Sequence, residues 1–127
     1  IKKLNYKNKK FRANVIFCTL LLAGNNEIKK LNKKFRKKNK STDVLSFPFH
    51  TKKNLKNELK KNKEIYLGDI IINFSKMKYK KNLKKFKSQF DKLWIHGLVH
   101  LLGHDHKKER EFKKMHQIES NYLEYIY

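Results

Sequence analysis

Apolar positions recur along this chain in two rhythms, and each rhythm predicts an element. Val15-Ile16-Phe17-Cys18-Thr19-Leu20-Leu21-Leu22-Ala23 is a short run rich in β-branched residues that stops at Gly24, the pattern of a buried strand. Ile28, Leu31 and Phe35 then follow helical spacing, with Lys29, Lys30, Lys33 and Lys37 on the outer face and Asn25 or Asn26 available as a cap. After a polar turn from Lys37 to Ser41, Thr42 and Asp43 open a strand at Val44-Leu45-Ser46-Phe47, which ends at Pro48 because proline cannot donate to a ladder. From Thr51 to Lys63 only Leu55 and Leu59 are available for burial among lysines and asparagines, so a mobile basic loop with at most a short helical turn is expected. Glu64 to Phe74 reads as a further strand, with Ile70, Ile72 and Phe74 on one face and Asp69, Ile71 and Asn73 on the other.

Ser75 can cap a helix, but a single helix from there to Gly103 would be about 43 Å long, against roughly 28 Å for a domain of this size. A break is therefore expected near Lys80 to Asn82. The segment beyond it buries Leu83, Phe86, Phe90, Leu93, Leu98 and Leu101 and is the expected central helix. Phe112, Met115, Ile118 and Tyr122 then mark a closing amphipathic helix. Together these elements predict an α+β fold, a small mixed β-sheet with helices packed on it. Residues 1–127 are read as a single domain, with no internal repeat or interdomain linker. A chain of this length buries about two-thirds of its unfolded surface and needs no disulfide framework. Cys18, the one cysteine, reads as a buried thiol in a reducing, cytoplasmic setting and not as a ligand.

The chemistry is concentrated in His96-Gly97-Leu98-Val99-His100-Leu101-Leu102-Gly103-His104-Asp105-His106. His96 and His100 lie one above the other on a helix, so their imidazoles can converge on one point. Gly103 supplies the left-handed backbone that ends a helix and brings His106 round to the same point. Packing or helix capping would suit a lone histidine, but four of the six histidines fall in this stretch, at His-x3-His-x5-His spacing. His104 is expected to point away from the meeting point, and His116 lacks a partner at ligand spacing. Three imidazoles leave one zinc position open, the catalytic arrangement, so one Zn2+ ion per chain is expected. Metzincin proteases share this spacing but place a glutamate after the first histidine as general base. Gly97 occupies that position here, so ordinary peptide hydrolysis loses its base.

With Asp105 included, His-Gly-x-x-His-Leu-x-Gly-x-Asp-His resembles the signature of the YbeY family of metal-dependent endoribonucleases. Leu31-Asn32-Lys33-Lys34-Phe35-Arg36 running into Thr42-Asp43-Val44-Leu45-Ser46-Phe47-Pro48, and Leu67-Gly68-Asp69-Ile70, are similar to that family as well. One departure is His104, where the family often carries tyrosine. The resemblance extends from about residue 15 to the end. It implies the same α+β fold and a zinc-dependent, single-strand-specific endoribonuclease that acts in ribosomal RNA processing, including 3′-end maturation of 16S-type RNA, and in ribosome biogenesis. It also implies that Arg36 steadies phosphate charge beside the metal and that Asp105 orients a ligand. The expected partners are ribosomal RNA and the small ribosomal subunit, with no small-molecule cofactor.

Net charge changes this picture only modestly. The chain carries a formal +22, a field that attracts polyanions such as RNA, yet AT-rich codons would also enrich a protein in Lys, Asn and Ile. Basic residues in positions 1–12 ahead of the first apolar run imitate a secretory signal. That run is far shorter than the roughly 20 residues of a membrane span, so a strand is the reading and no membrane partner is expected. Two other functions fit the residues: a metalloprotease-like hydrolase with its base elsewhere, and a non-catalytic, ribosome-associated RNA-binding protein with structural zinc.

Overall fold

Among the described residues, three strands and four helices follow one another as β1 (Val15–Ala23), α1 (Asn25–Arg36), β2 (Val44–Pro48), α2 (Lys52–Lys61), β3 (Glu64–Asn73), α3 (Leu83–Leu101) and α4 (Glu109–Ile126), with one 3-10 turn at Phe74–Lys76. The computed structural model describes residues 12–105 and 108–126. In the sheet the order is β1-β3-β2, with β1 parallel and β2 antiparallel to the central β3. This is the mixed α+β architecture that the hydropathy pattern predicts. Among the described residues no helix is long and apolar enough to cross a membrane.

β3 is buried on both faces. Ile65, Leu67, Ile70 and Ile72 join Leu55, Leu59, Met77 and Leu101 on one side, while Ile71 meets Leu45 and Ile28 of α1 on the other. Alternation survives a register shift between Phe17 and Thr19 of β1, where Leu67 and Gly68 of β3 stand opposite the single residue Cys18. Gly68 absorbs the extra residue at φ 134°, backbone that a side chain rarely adopts. α4 packs on the outer side of α3 through Ile95, Val99 and Met115.

Several expectations are corrected. The stretch after Thr51 is a ten-residue helix, not a loop. Thr51 Oγ1 caps it by accepting from the Asn54 amide at 3.2 Å, and Leu55 and Leu59, four residues apart, are 4% and 3% exposed in the core. Two leucines on one helical stripe suffice once a sheet is there to receive them, because tertiary burial outweighs local composition. β1 forms as predicted but, among the described residues, is an edge strand rather than a buried one. Val15, Phe17, Leu20, Leu21 and Leu22 are substantially exposed among the described residues, and Ile16 and Cys18 pack against the core.

Gly24, not an asparagine, holds the N-cap position of α1, without a side-chain cap. Asn25 Oδ1 instead accepts from Asn73 Nδ2 at 2.7 Å and from Ser41 Oγ at 3.1 Å. The fully buried Asn73 also donates to the Thr42 carbonyl and accepts from the Ser75 amide, so Ser75 is capped and does not itself cap a helix. Phe74 belongs to the 3-10 turn and not to β3. The predicted break holds, and Asn82 Oδ1 opens α3 by accepting from Lys85 N at 3.2 Å. Leu83 at the start of α3 is 83% exposed, and Phe35 and Phe112 are also largely exposed, so the buried helical stripes are narrower than the pattern implied.

α3 approaches the sheet closely at Gly97. A methyl group built there would lie 2.7 Å from Ile70 Cγ2 and 3.2 Å from Ser46 Oγ, so β2, β3 and α3 meet in a space that holds only a hydrogen atom. Gly97→Ala should therefore lower unfolding free energy by about 1–3 kcal/mol through overpacking. Denaturant titration at fixed m-value checks this, and parental stability would mean that the sheet yields more easily than the contact suggests.

Candidate active-site cleft

His96 and His100 project from adjacent turns of α3, with ring centroids 4.7 Å apart and planes at 87°. Each ring is held through Nδ1. His96 Nδ1 lies 2.5 Å from Glu119 Oε1 of α4, and His100 Nδ1 lies 3.0 Å from the backbone oxygen of His104. A carbonyl oxygen, like an ionised carboxylate, only accepts, so Nδ1 is the protonated nitrogen of both rings and Nε2 carries the lone pair in the neutral form.

The His104 oxygen reaches His100 because of how α3 ends. The Gly103 amide donates to the His100 carbonyl at 2.9 Å and the His104 amide to the Val99 carbonyl at 3.2 Å. With Gly103 at φ 96°, this is the helix-ending motif predicted from the glycine. The turn therefore satisfies the last carbonyls of α3 and folds a backbone acceptor back onto one of its own imidazoles.

A cleft of about 210 Å³ lies beside the two rings, lined also by Asn32, Arg36, Lys38, Lys40 and Ser46. Arg36, the last residue of α1, donates from Nη2 to the Ser46 carbonyl at 2.7 Å and lies 5.8 Å from the centre of the Phe47 ring. One bond to β2 thus orients a guanidinium that carries further donors. The segment after α1 is pinned by the buried Asn32. Its backbone oxygen accepts from Lys38 N at 3.2 Å and its Nδ2 donates to the Lys40 carbonyl at 2.9 Å, which puts Lys38 and Lys40 on the cleft wall. The cleft is cationic on one side and imidazole-lined on the other.

His96, His100 and Arg36 are thus brought together. His106 lies outside the described residues, and among the described residues no group of three or more His, Cys, Asp or Glu side chains assembles into a metal site. The donor chemistry of the pair still fits zinc, since two neighbouring imidazoles with anchored Nδ1 atoms present the nitrogen that the metal takes. Asp105 is exposed just past the helix-ending turn. His104 contributes its backbone oxygen, while its half-buried ring has its pKa lowered by burial first and then by Lys114 and Lys52. His116 is exposed on α4, as a histidine without a partner at ligand spacing would be. Burial, then the Asp69 charge, raises the Cys18 pKa, which disfavours the thiolate a metal would need.

Sequence reasoning missed Asn32, Lys38, Lys40, Ser46 and Glu119. Glu119 left one legible signal. It lies four residues after Met115 and three before Tyr122, so it is a carboxylate within the apolar stripe of α4.

An α+β domain with two anchored imidazoles and an arginine facing a basic cleft is of the class suited to anionic ligands. The sequence model of the endoribonuclease YbeY family matches residues 2–127, and the chain belongs to that family. It is 51% identical over 117 residues to a Pelagibacter ubique protein named endoribonuclease YbeY, covering 91% of this chain and 72% of that protein. A Thermodesulfovibrio yellowstonii protein of the same name is 36% identical over 126 residues, covering 97% of this chain and 72% of its own length. The solution structure of TM1509 from Thermotoga maritima superposes with a TM-score of 0.52 at 26% identity, covering 97% of this chain and 75% of that one.

The left-handed Gly103 gives this site a local test. Gly103→Ala should cost at least about 1 kcal/mol of stability, because an L side chain at positive φ is strained. The nearest contact of the added methyl, Lys52 Cγ at 3.0 Å, belongs to a flexible chain that can move aside, so backbone strain dominates. Gly103→Asn should recover part of the loss, since asparagine tolerates this region better. Equal unfolding midpoints for the two variants would contradict the backbone explanation.

Proposed function

We propose that the chain is a zinc-dependent endoribonuclease that hydrolyses phosphodiesters in single-stranded ribosomal RNA. Its substrate is RNA of the small ribosomal subunit, including the 3′ end of 16S-type RNA, and its setting is the cytoplasm. The observation that carries the reading is the sharing of one cleft by Arg36 and the two histidines whose Nδ1 atoms are already engaged. Membership of a family named for an endoribonuclease supports it.

In this reading His96, His100 and His106 hold one zinc ion, and Asp105 orients a ligand from behind. When bound, zinc supplies Lewis acidity that makes water a better nucleophile and offsets charge on the phosphate. Arg36 grips two phosphate oxygens in a fork, and the Ser46 carbonyl keeps that fork from swinging into solvent. Lys38 and Lys40 draw the flanking phosphates along the wall. Peptide hydrolysis is disfavoured: a side chain at position 97 would overlap Ile70 and crowd Ser46, so a general base there requires the neighbouring side chains or α3 to shift.

Ala replacements of His96, His100 or His106 should each remove zinc and RNA cleavage together, whereas His104→Ala should retain the metal, because the acceptor for His100 is a backbone atom. Metal analysis beside RNA cleavage checks this, with His100→Ala exposing any contaminating ribonuclease. Zinc loss in His104→Ala with retention in His106→Ala would overturn the ligand assignment. Folded, zinc-loaded protein that binds RNA without turnover, and ligand variants that unfold, would instead favour a structural metal.

Arg36→Lys keeps the charge and loses the fork. It should slow cleavage about tenfold or more, equivalent to ~1.4 kcal/mol of transition-state stabilisation, with RNA affinity and zinc content nearly parental. Removing one outlying lysine such as Lys33, Lys53 or Lys84 should only weaken binding and reduce its salt slope by about one unit or less. Cleavage by Arg36→Lys at the parental rate would reduce Arg36 to one more solvated cation.

A further inference from the structure

We propose that Glu119 is a positioning residue that fixes the tautomer and orientation of His96, so that α4 as well as α3 builds the zinc site. The inference rests on the zinc reading above and extends it to a residue outside the histidine motif. Glu119 is 23 positions away in sequence, yet its Oε1 lies 2.5 Å from His96 Nδ1. Its side chain is 19% exposed, on a helix seated against α3 by Met115, Ile95 and Val99. A carboxylate in that apolar stripe is costly unless something bonds to it, and His96 Nδ1 is the group that does.

The pairing has a chemical consequence. The carboxylate accepts from a protonated Nδ1, which leaves Nε2 as the ligating nitrogen and fixes the direction in which the ring presents it. His100 is anchored by a neutral backbone carbonyl instead. The two Nδ1 anchors are therefore unequal, and the one on His96 is a side chain that mutation can change.

The test measures zinc affinity by competition with a chromophoric chelator and reads the His96 tautomer in metal-free protein from long-range 1H–15N NMR couplings. Glu119→Leu, which has no acceptor, should weaken zinc binding by up to about 100-fold and release the tautomer. Glu119→Gln keeps a carbonyl acceptor without the charge. It should hold the tautomer and lose about tenfold in affinity, and it decides the matter if the Leu variant does not fold. Met115→Ala loosens the α3–α4 seam without touching the pair, and should lower stability while leaving tautomer and zinc affinity parental. Parental affinity in both Glu119 variants, or equal losses in Met115→Ala, would overturn the inference and leave the zinc reading standing. A parent protein that binds no zinc would overturn both.

Discussion

The cleft depends on how closely α3 lies on the sheet. At Gly97 the helix backbone comes so near β3 and β2 that a methyl group would overlap Ile70 and crowd Ser46. One contact thereby registers three parts of the site. It seats the helix on whose adjacent turns His96 and His100 sit, it places β2 whose Ser46 carbonyl holds Arg36, and through Arg36 it ties the end of α1 to the same depth. Because packed interiors yield little, a displacement of α3 would be felt at all three.

Around that contact the polar groups are fastened mainly by backbone atoms. The His104 carbonyl holds His100, the Ser46 carbonyl holds Arg36, and the buried Asn32 bonds to the main chain of Lys38 and of Lys40. Backbone acceptors on regular elements and capped helix ends are positioned by the fold itself, which suits a site that needs its groups preset. His96 is the exception, because its partner is the carboxylate of Glu119, a side chain on another helix.

The site was legible where its parts are close in sequence. The pairing of His96 with His100 and the glycine that ends α3 both read correctly, since one turn of helix and one left-handed residue are local geometry, while His106 lies outside the described residues. The three strands and the break before Asn82 were readable for the same reason. What was not legible is long-range. Glu119 meets His96 across 23 residues, and Leu55 and Leu59 make a helix only because β3 offers them a core. The sequence shows only one side of Gly97. It reads as a missing base when compared with proteases, and the structure adds a steric role that involves two strands the local sequence does not contain.

The order of strands has a consequence for how the molecule is made. β1 and β2 each pair with β3, the last strand in the chain, and the parallel ladder joins Val15 to Glu64. Neither ladder can start to form until residues 64 onward have left the ribosome, so the apolar run of β1 waits while about fifty more residues are added. Parallel pairing over such a separation is intrinsically slow, and an unpaired apolar edge invites contact with other chains during the delay. Lysines crowd the sequence between β1 and β3, and charge flanking an exposed strand is the usual brake on such association. The surface charge therefore guards the nascent chain as well as clothing the folded one.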